Sequence, residues 1–121
     1  MAAIAVFGAS QVALGLWQAI HPESFFETVG GFGARNDHFI RDVATWYLAL
    51  GAALLVAARR AAWRVPVLSL ALIQYVLHLV NHVADVAESD PSWAGPVDAV
   101  GLAVAAAALA GVLVIARKEA R

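Results

Sequence analysis

Apolar residues dominate four stretches of the chain, at about residues 2–20, 38–58, 65–86 and 96–116, and polar residues collect between them. Each stretch is near the ~20 residues that cross a bilayer core. Each therefore predicts a spanning helix, because a chain in hydrocarbon must satisfy its own backbone hydrogen bonds. The expected fold is all-α: an integral membrane four-helix bundle forming a single transmembrane domain over residues 1–121. The first stretch lacks the basic start of a signal peptide, and Trp17, Gln18, His21 and Pro22 replace the small residues of a cleavage site, so it reads as a helix.

Composition agrees with this pattern. A chain of 121 residues that is 62% hydrophobic and 14% charged lies outside the balance of a soluble domain. It has no cysteine, which excludes disulfides, thiol redox chemistry and thiolate metal sites. Any metal must be held by nitrogen and oxygen. The net charge of −1 hides a dipolar layout: six of the eight basic residues (Arg59, Arg60, Arg64, Arg117, Lys118, Arg121) fall in the second connection or the C-terminal tail. By the positive-inside rule those segments, and hence both termini, are expected in the cytoplasm, with the protein a multi-pass component of the inner or plasma membrane. Nothing in this distribution points to nucleic acid.

The connections differ in character. The one around Arg60 is short enough to force the second and third helices into an antiparallel hairpin, with Pro66 suited to the first turn of the third. The segment from 22 to 37 carries Phe25, Phe26 and Val29 beside Gly30, Gly31 and Gly33. It reads either as a plain connector with aromatic interface anchors or as a surface cap. The last connection is acidic, broken by Pro and Gly, and carries the interfacial residue Trp93.

Inside the hairpin stand polar groups that hydrocarbon tolerates poorly: His38, Asp42, His78, His82 and Asp85. A charge at the centre of a span costs roughly 2.5–3.5 kcal/mol on insertion scales, so these residues are expected to have partners or a function. His38 and His82 are equidistant in sequence from Arg60, and so are Asp42 and His78, which places each pair at equal depth. On each helix the two residues also share a face, because His38 and Asp42 are four apart, as are His78 and His82. The stripe continues on the third helix through Gln74, Tyr75 and Asn81, and on the second through Thr45 into an apolar seam of Ala49, Ala52 and Val56.

Three imidazoles and one carboxylate on facing helices are ligand types for zinc, iron, manganese or copper. The expected metal ligands are His38, Asp42, His78 and His82, with Asp42 and Tyr75 as catalytic candidates and Asn81, Asp85 and Asp98 supporting them from behind. Haem is the alternative cofactor, with His38 and His82 as axial ligands. The plainer reading is a hydrogen-bonded network without a cofactor, and Asp98 also reads as an ordinary acid at a helix start. Gln11, Gln18 and Gln74 read as interhelical hydrogen-bonding residues or as the lining of a polar path. Trp46 and Tyr47 read as core, or as flanking the site. Gly8, Gly15, Gly101, Ala105 and Gly111 read as points of close helix contact.

The segment RDVATWYLALGAALLVAARR, with the glycine-bearing loop before it, resembles the second helix of small four-helix bacterial membrane proteins of the DoxX-like group. That resemblance implies a four-span bundle without a settled activity, and it does not extend to His78, Asn81 and His82. The ligand inventory is also similar to that of ceramidase-type membrane hydrolases, which hold zinc with three histidines and an aspartate, although the chain is too short for their seven-helix fold.

Two functions are thus expected. One is metal-supported hydrolytic or redox chemistry on a lipid-like or quinone-like molecule. The other is a non-enzymatic accessory subunit or small-ligand binder whose His/Asp network is structural or senses pH, acting alone or as a homo- or hetero-oligomer.

Overall fold

The structure, a computed structural model, describes residues 1–120. It runs α1 (Ala2–Ile20), the short α2 (Pro22–Thr28), α3 (Asp37–Arg59), α4 (Ala61–Ala84), a single 3₁₀ turn at Val86–Glu88, and α5 (Ala94–Glu119). The four long helices are apolar enough to cross a membrane, and no more than 28% of the most apolar window of any of them is buried inside the protein. Their outward surface is therefore mostly Val, Leu and Ile, which suits lipid. The protein is an all-α, multi-pass four-helix membrane bundle.

Local sequence sets the helix ends. The Asn36 side chain accepts a hydrogen bond from the Phe39 amide at 3.1 Å and so caps α3, whose first turn carries Asp37 and whose last turn carries Arg59. Arg60 alone links α3 to α4, so the third span begins at Ala61 rather than near 65. Pro66 consequently sits in the second turn, not the first, where its ring forgoes a bond to the Ala62 carbonyl. At the start of α5 the Gly95 amide donates to the Ser89 hydroxyl at 2.9 Å, so the cap comes from the preceding loop.

The closest helix pair is α1 with α3. A Cβ on Gly8 would lie 3.0 Å from the Leu55 amide nitrogen, and one on Gly15 would lie 3.1 Å from the Ala44 carbonyl oxygen. Gly51 answers from α3, where a Cβ would come 2.9 Å from the Gly8 carbonyl. Backbone meets backbone, as small residues allow in a membrane. Gly101 and Gly111 do not share this role: a Cβ on either would meet nothing within 4 Å.

The packed core lies at one end only. Ile4, Leu54, Leu68 and Leu109 are fully buried there, with Ala57, Ala71, Leu113 and Ala116 around them. This end also holds the α3–α4 turn, both chain ends and most of the positive charge, and will be called the basic end. Arg64 fastens it by pairing with Glu119 at 3.1 Å. Towards the opposite end the core cluster stops, leaving room between the helices.

A bulky side chain in the α1–α3 contact should be costly. Gly51→Val is expected to destabilise the fold by about 1–3 kcal/mol through overpacking, whereas Gly111→Ala should be neutral or slightly stabilising because alanine favours helix. Thermal unfolding in detergent, followed by circular dichroism, separates the two.

Candidate functional site

The space opposite the basic end is a cavity of about 550 Å³, a size that holds a small organic ligand. Its walls come from every long helix: Leu14 and Gln18 of α1, Ile40, Val43 and Tyr47 of α3, Tyr75, His78 and His82 of α4, and Asp98, Leu102 and Ala105 of α5. Phe25, Phe26, Val29 and Phe32 close it from the loop side. The segment after α1 is thus a cap whose aromatic residues turn inward, rather than a connector anchored at the interface.

Several contacts hold the cap. Pro22 opens α2 with the φ that a first turn needs. The Trp17 indole N–H donates to the Ser24 hydroxyl at 3.2 Å, and its ring meets Phe25 edge to face at 5.5 Å. Arg35 reaches back to Glu23 at 2.6 Å and forward to Asp37 at 3.0 Å, tying the start of α2 to the start of α3. Hydrogen bonding to Glu23 and the nearby Asp37 carboxylate hold the Arg35 guanidinium above its usual pKa.

Across the top, the Asp90 amide donates to the Gly31 carbonyl at 2.9 Å, and Phe32 forms an isolated antiparallel bridge with Ser89. A Cβ on Gly31 would collide with the Asp90 carbonyl oxygen, so this junction requires glycine. Gly33, at φ 67°, turns the chain back towards α3.

The polar groups of the cavity cluster towards its capped end. His78 and His82 stack edge to face at 4.6 Å between ring centroids, and Phe32 stands against His82 at 4.9 Å. Asp98 lies within electrostatic reach of His82. Deeper, the Gln11 amide donates to the Tyr75 hydroxyl at 2.6 Å, an interhelical bond that closes the floor. Of the five buried side-chain polar atoms without a hydrogen-bond partner among the described residues, two are Asp37 Oδ1 and Arg64 Nε and three are Gln18 Oε1, His82 Nδ1 and Asp98 Oδ2. As placed, the last three are out of reach of a water molecule. All three belong to residues lining this cavity.

The expected four-ligand site does not assemble. The Arg60 turn and the depth matching follow the sequence reading, but His38 and Asp42 face away from the cavity. Their side chains are 87% and 66% exposed and pair with each other at 3.4 Å along one helix face. The supposed apolar seam of Ala49, Ala52 and Val56 is exposed with them, while Ile40, Ala44, Leu50, Gly51, Leu54 and Ala57 form the buried face. Equal depth fixes no azimuth: Ile40 is only two residues beyond His38, yet about 200° around the helix.

Among the described residues no group of three or more His, Cys, Asp and Glu side chains could hold a metal ion. The same rotation separates His38 from His82, so they do not face each other as haem ligands would. Of the supporting residues, Asn81 is exposed and Asp85 half-buried outside the cavity lining, whereas Tyr75 and Asp98 line it. Tyr47 flanks the cavity and Trp46 points outward.

Sequence reasoning did not single out Phe32, and it named Gln18 only as an interhelical hydrogen-bonding or path-lining residue, apart from the His/Asp site. Phe32 carries no local signal. Gln18 does: it is a glutamine within an apolar helix, two turns from Gln11 along one face.

Together the fold and cavity define a multi-pass helical membrane protein with a capped intramembrane chamber whose histidines and one acid lie at one end. Comparison with family models, curated proteins and solved structures finds no match for the chain.

The chain lacks cysteine, so a single introduced thiol reports access to the chamber. Leu102→Cys is expected to react slowly with a soluble maleimide. Adding Gly31→Val, which breaks the loop junction, should speed labelling several-fold, and equal rates would show that the cap does not control access.

Proposed function

We propose that the protein binds an amphipathic lipid-like or quinone-like molecule within the membrane, in the chamber at the capped end of the bundle. One observation carries this reading: a ligand-sized space with mostly apolar walls has its two histidines, His78 and His82, and its one acid, Asp98, at one end. Bound ligands are generally oriented in this way, with apolar walls supplying affinity and a few polar groups fixing the pose. Burying apolar ligand surface contributes about 25 cal/mol per Å² in transfer terms, so a short alkyl or isoprenoid tail would supply much of the binding. His78, His82 and Asp98 would meet the polar head.

The geometry favours this over metal-assisted hydrolysis or oxidation, because two of the four expected ligands lie on a different face from the other two. Haem ligation by His38 and His82 meets the same obstacle. We place the basic end in the cytoplasm on the distribution of Arg and Lys, which puts the chamber in the outer half of the inner or plasma membrane. A green fluorescent protein fused to the C-terminus should then fluoresce, and alkaline phosphatase fused there should be inactive; the reverse pattern would invert the orientation.

Binding is tested with protein in phosphatidylcholine nanodiscs titrated with decylubiquinone and with monododecyl glycerol ether, read by calorimetry. Ala105→Phe, which fills the chamber, should weaken whichever probe binds by roughly tenfold or more, with the unfolding temperature retained. His38→Gln should change nothing. No binding of either probe, or equal effects of the two substitutions, would remove this function.

A further inference from the structure

The side of α3 that turns away from the chamber is unlike the other outward faces of the bundle. It runs through His38, Asp42, Thr45, Ala49, Ala52 and Val56, all of them exposed. The outward faces of the other long helices carry large apolar side chains suited to lipid: Val6 and Leu16 on α1, Ile73 and Leu77 on α4, Val100 and Val104 on α5. On α3 the corresponding surface is an imidazole, a carboxylate, a hydroxyl and two alanines, with Val56 as its one large aliphatic residue.

This polar stretch is not simply in the headgroup layer. The 23 residues of α3 span about 35 Å at 1.5 Å per residue, little more than the ~30 Å hydrocarbon core. Asp42, in the second turn, therefore stands inside the outer edge of the apolar layer. Its ionic partner is His38, 3.4 Å away along the same exposed face, and acyl chains can supply no other.

The six residues follow one another at intervals of four, three, four, three and four. That alternation is the seam by which two helices pack knobs into holes as a left-handed pair. Alanines in the middle of such a seam let two membrane helices approach closely, and a polar position within it fixes the register.

We infer that this face of α3 docks a second copy of the chain, α3 against α3 about a two-fold axis along the membrane normal, with each Asp42 set against the other copy's His38.

Complementarity selects a second copy as the occupant. Copies inserted under the same charge distribution share one orientation, so their α3 helices meet in parallel and place equal residues at equal depth. In knobs-into-holes packing Asp42 of one helix then enters the space between His38 and Thr45 of the other, and the two-fold axis repeats the contact. Acid and imidazole alternate across the seam, and Ala49 and Ala52 face their own counterparts below. The flanks agree. Arg41 and Trp46 are both exposed, on opposite sides of the seam and five residues apart, the offset at which flanking residues of parallel helices meet. Each guanidinium is thereby brought towards the other copy's indole, a favourable cation–π arrangement. Because the seam lies away from the chamber, docking here is independent of the binding function proposed above.

The experiment uses the full chain, which has no native cysteine, in phosphatidylcholine vesicles at low protein-to-lipid ratio. Ala49→Cys and, separately, Val104→Cys are oxidised with copper phenanthroline. Ala49 meets its counterpart at the axis, so Ala49→Cys should form a disulfide-linked dimer at least tenfold faster than Val104→Cys on α5. Energy transfer between copies carrying donor and acceptor fluorophores at the C-terminus, followed on dilution with lipid, gives the dissociation constant. Asp42→Leu, a change that suits a face covered by lipid, should weaken the dimer about tenfold.

Equal crosslinking at the two positions overturns the assignment. So does energy transfer no greater than random mixing gives, or a dissociation constant that Asp42→Leu leaves unchanged. Crosslinking through two exposed positions decides the matter even where Asp42→Leu fails to fold. Ligand binding to the chamber is measured separately, so its loss and the absence of a dimer are distinct results.

Discussion

The architecture depends on the close approach of α1 to α3. Gly8 and Gly15 on one helix and Gly51 on the other let main chains touch, so α3 must turn its Ile40, Ala44, Gly51 face towards α1 and the bundle interior. In lipid there is little hydrophobic drive between helices, and close van der Waals contact of this kind takes its place. Once α3 is rotated to make that contact, every other residue on it has its direction set. His38 and Asp42 go outward as a consequence, and Val43 and Tyr47 go inward.

The two ends of the bundle are packed in different ways for a related reason. At the basic end Leu54, Leu68 and Leu109 interdigitate with Ile4, and the one-residue turn at Arg60 holds α3 and α4 together. At the other end the connections are long, and the space between helices is roofed from above by the aromatic residues of the cap and left open below them. The two loops at that end hold each other through the Gly31–Asp90 hydrogen bond, so the roof spans from the α1–α3 pair to the α4–α5 pair. The chamber is a product of tight packing at one end and a braced roof at the other.

The polar content of the chamber follows from the same layout. His78, His82 and Asp98 were visible as candidates because ionisable residues in apolar segments stand out, and the structure brings them to one cavity. The inward turn of Phe32 was not visible, and Gln18 was legible only as a hydrogen-bonding or path-lining residue. A glutamine in a membrane helix reads first as a bond between helices, which is what Gln11 makes. Phe32 comes to His82 only because its neighbour Ser89 pairs with it from a loop more than fifty residues away in sequence.

What the sequence determined by itself was the set of spanning helices, the hairpin centred on Arg60, the segregation of charge and the depth at which each polar group lies. These follow from hydrophobic length, from loop length and from a fixed rise per residue, all of which are local quantities. What only the tertiary structure decided was azimuth: which side of each helix faces inward. Two helices at matched depth can present any pair of faces to each other, and the choice belongs to the contacts that a third helix makes. The α1–α3 glycine contact made that choice here. It separated a plausible His/Asp quartet into an exposed pair and a pair within a ligand-sized chamber.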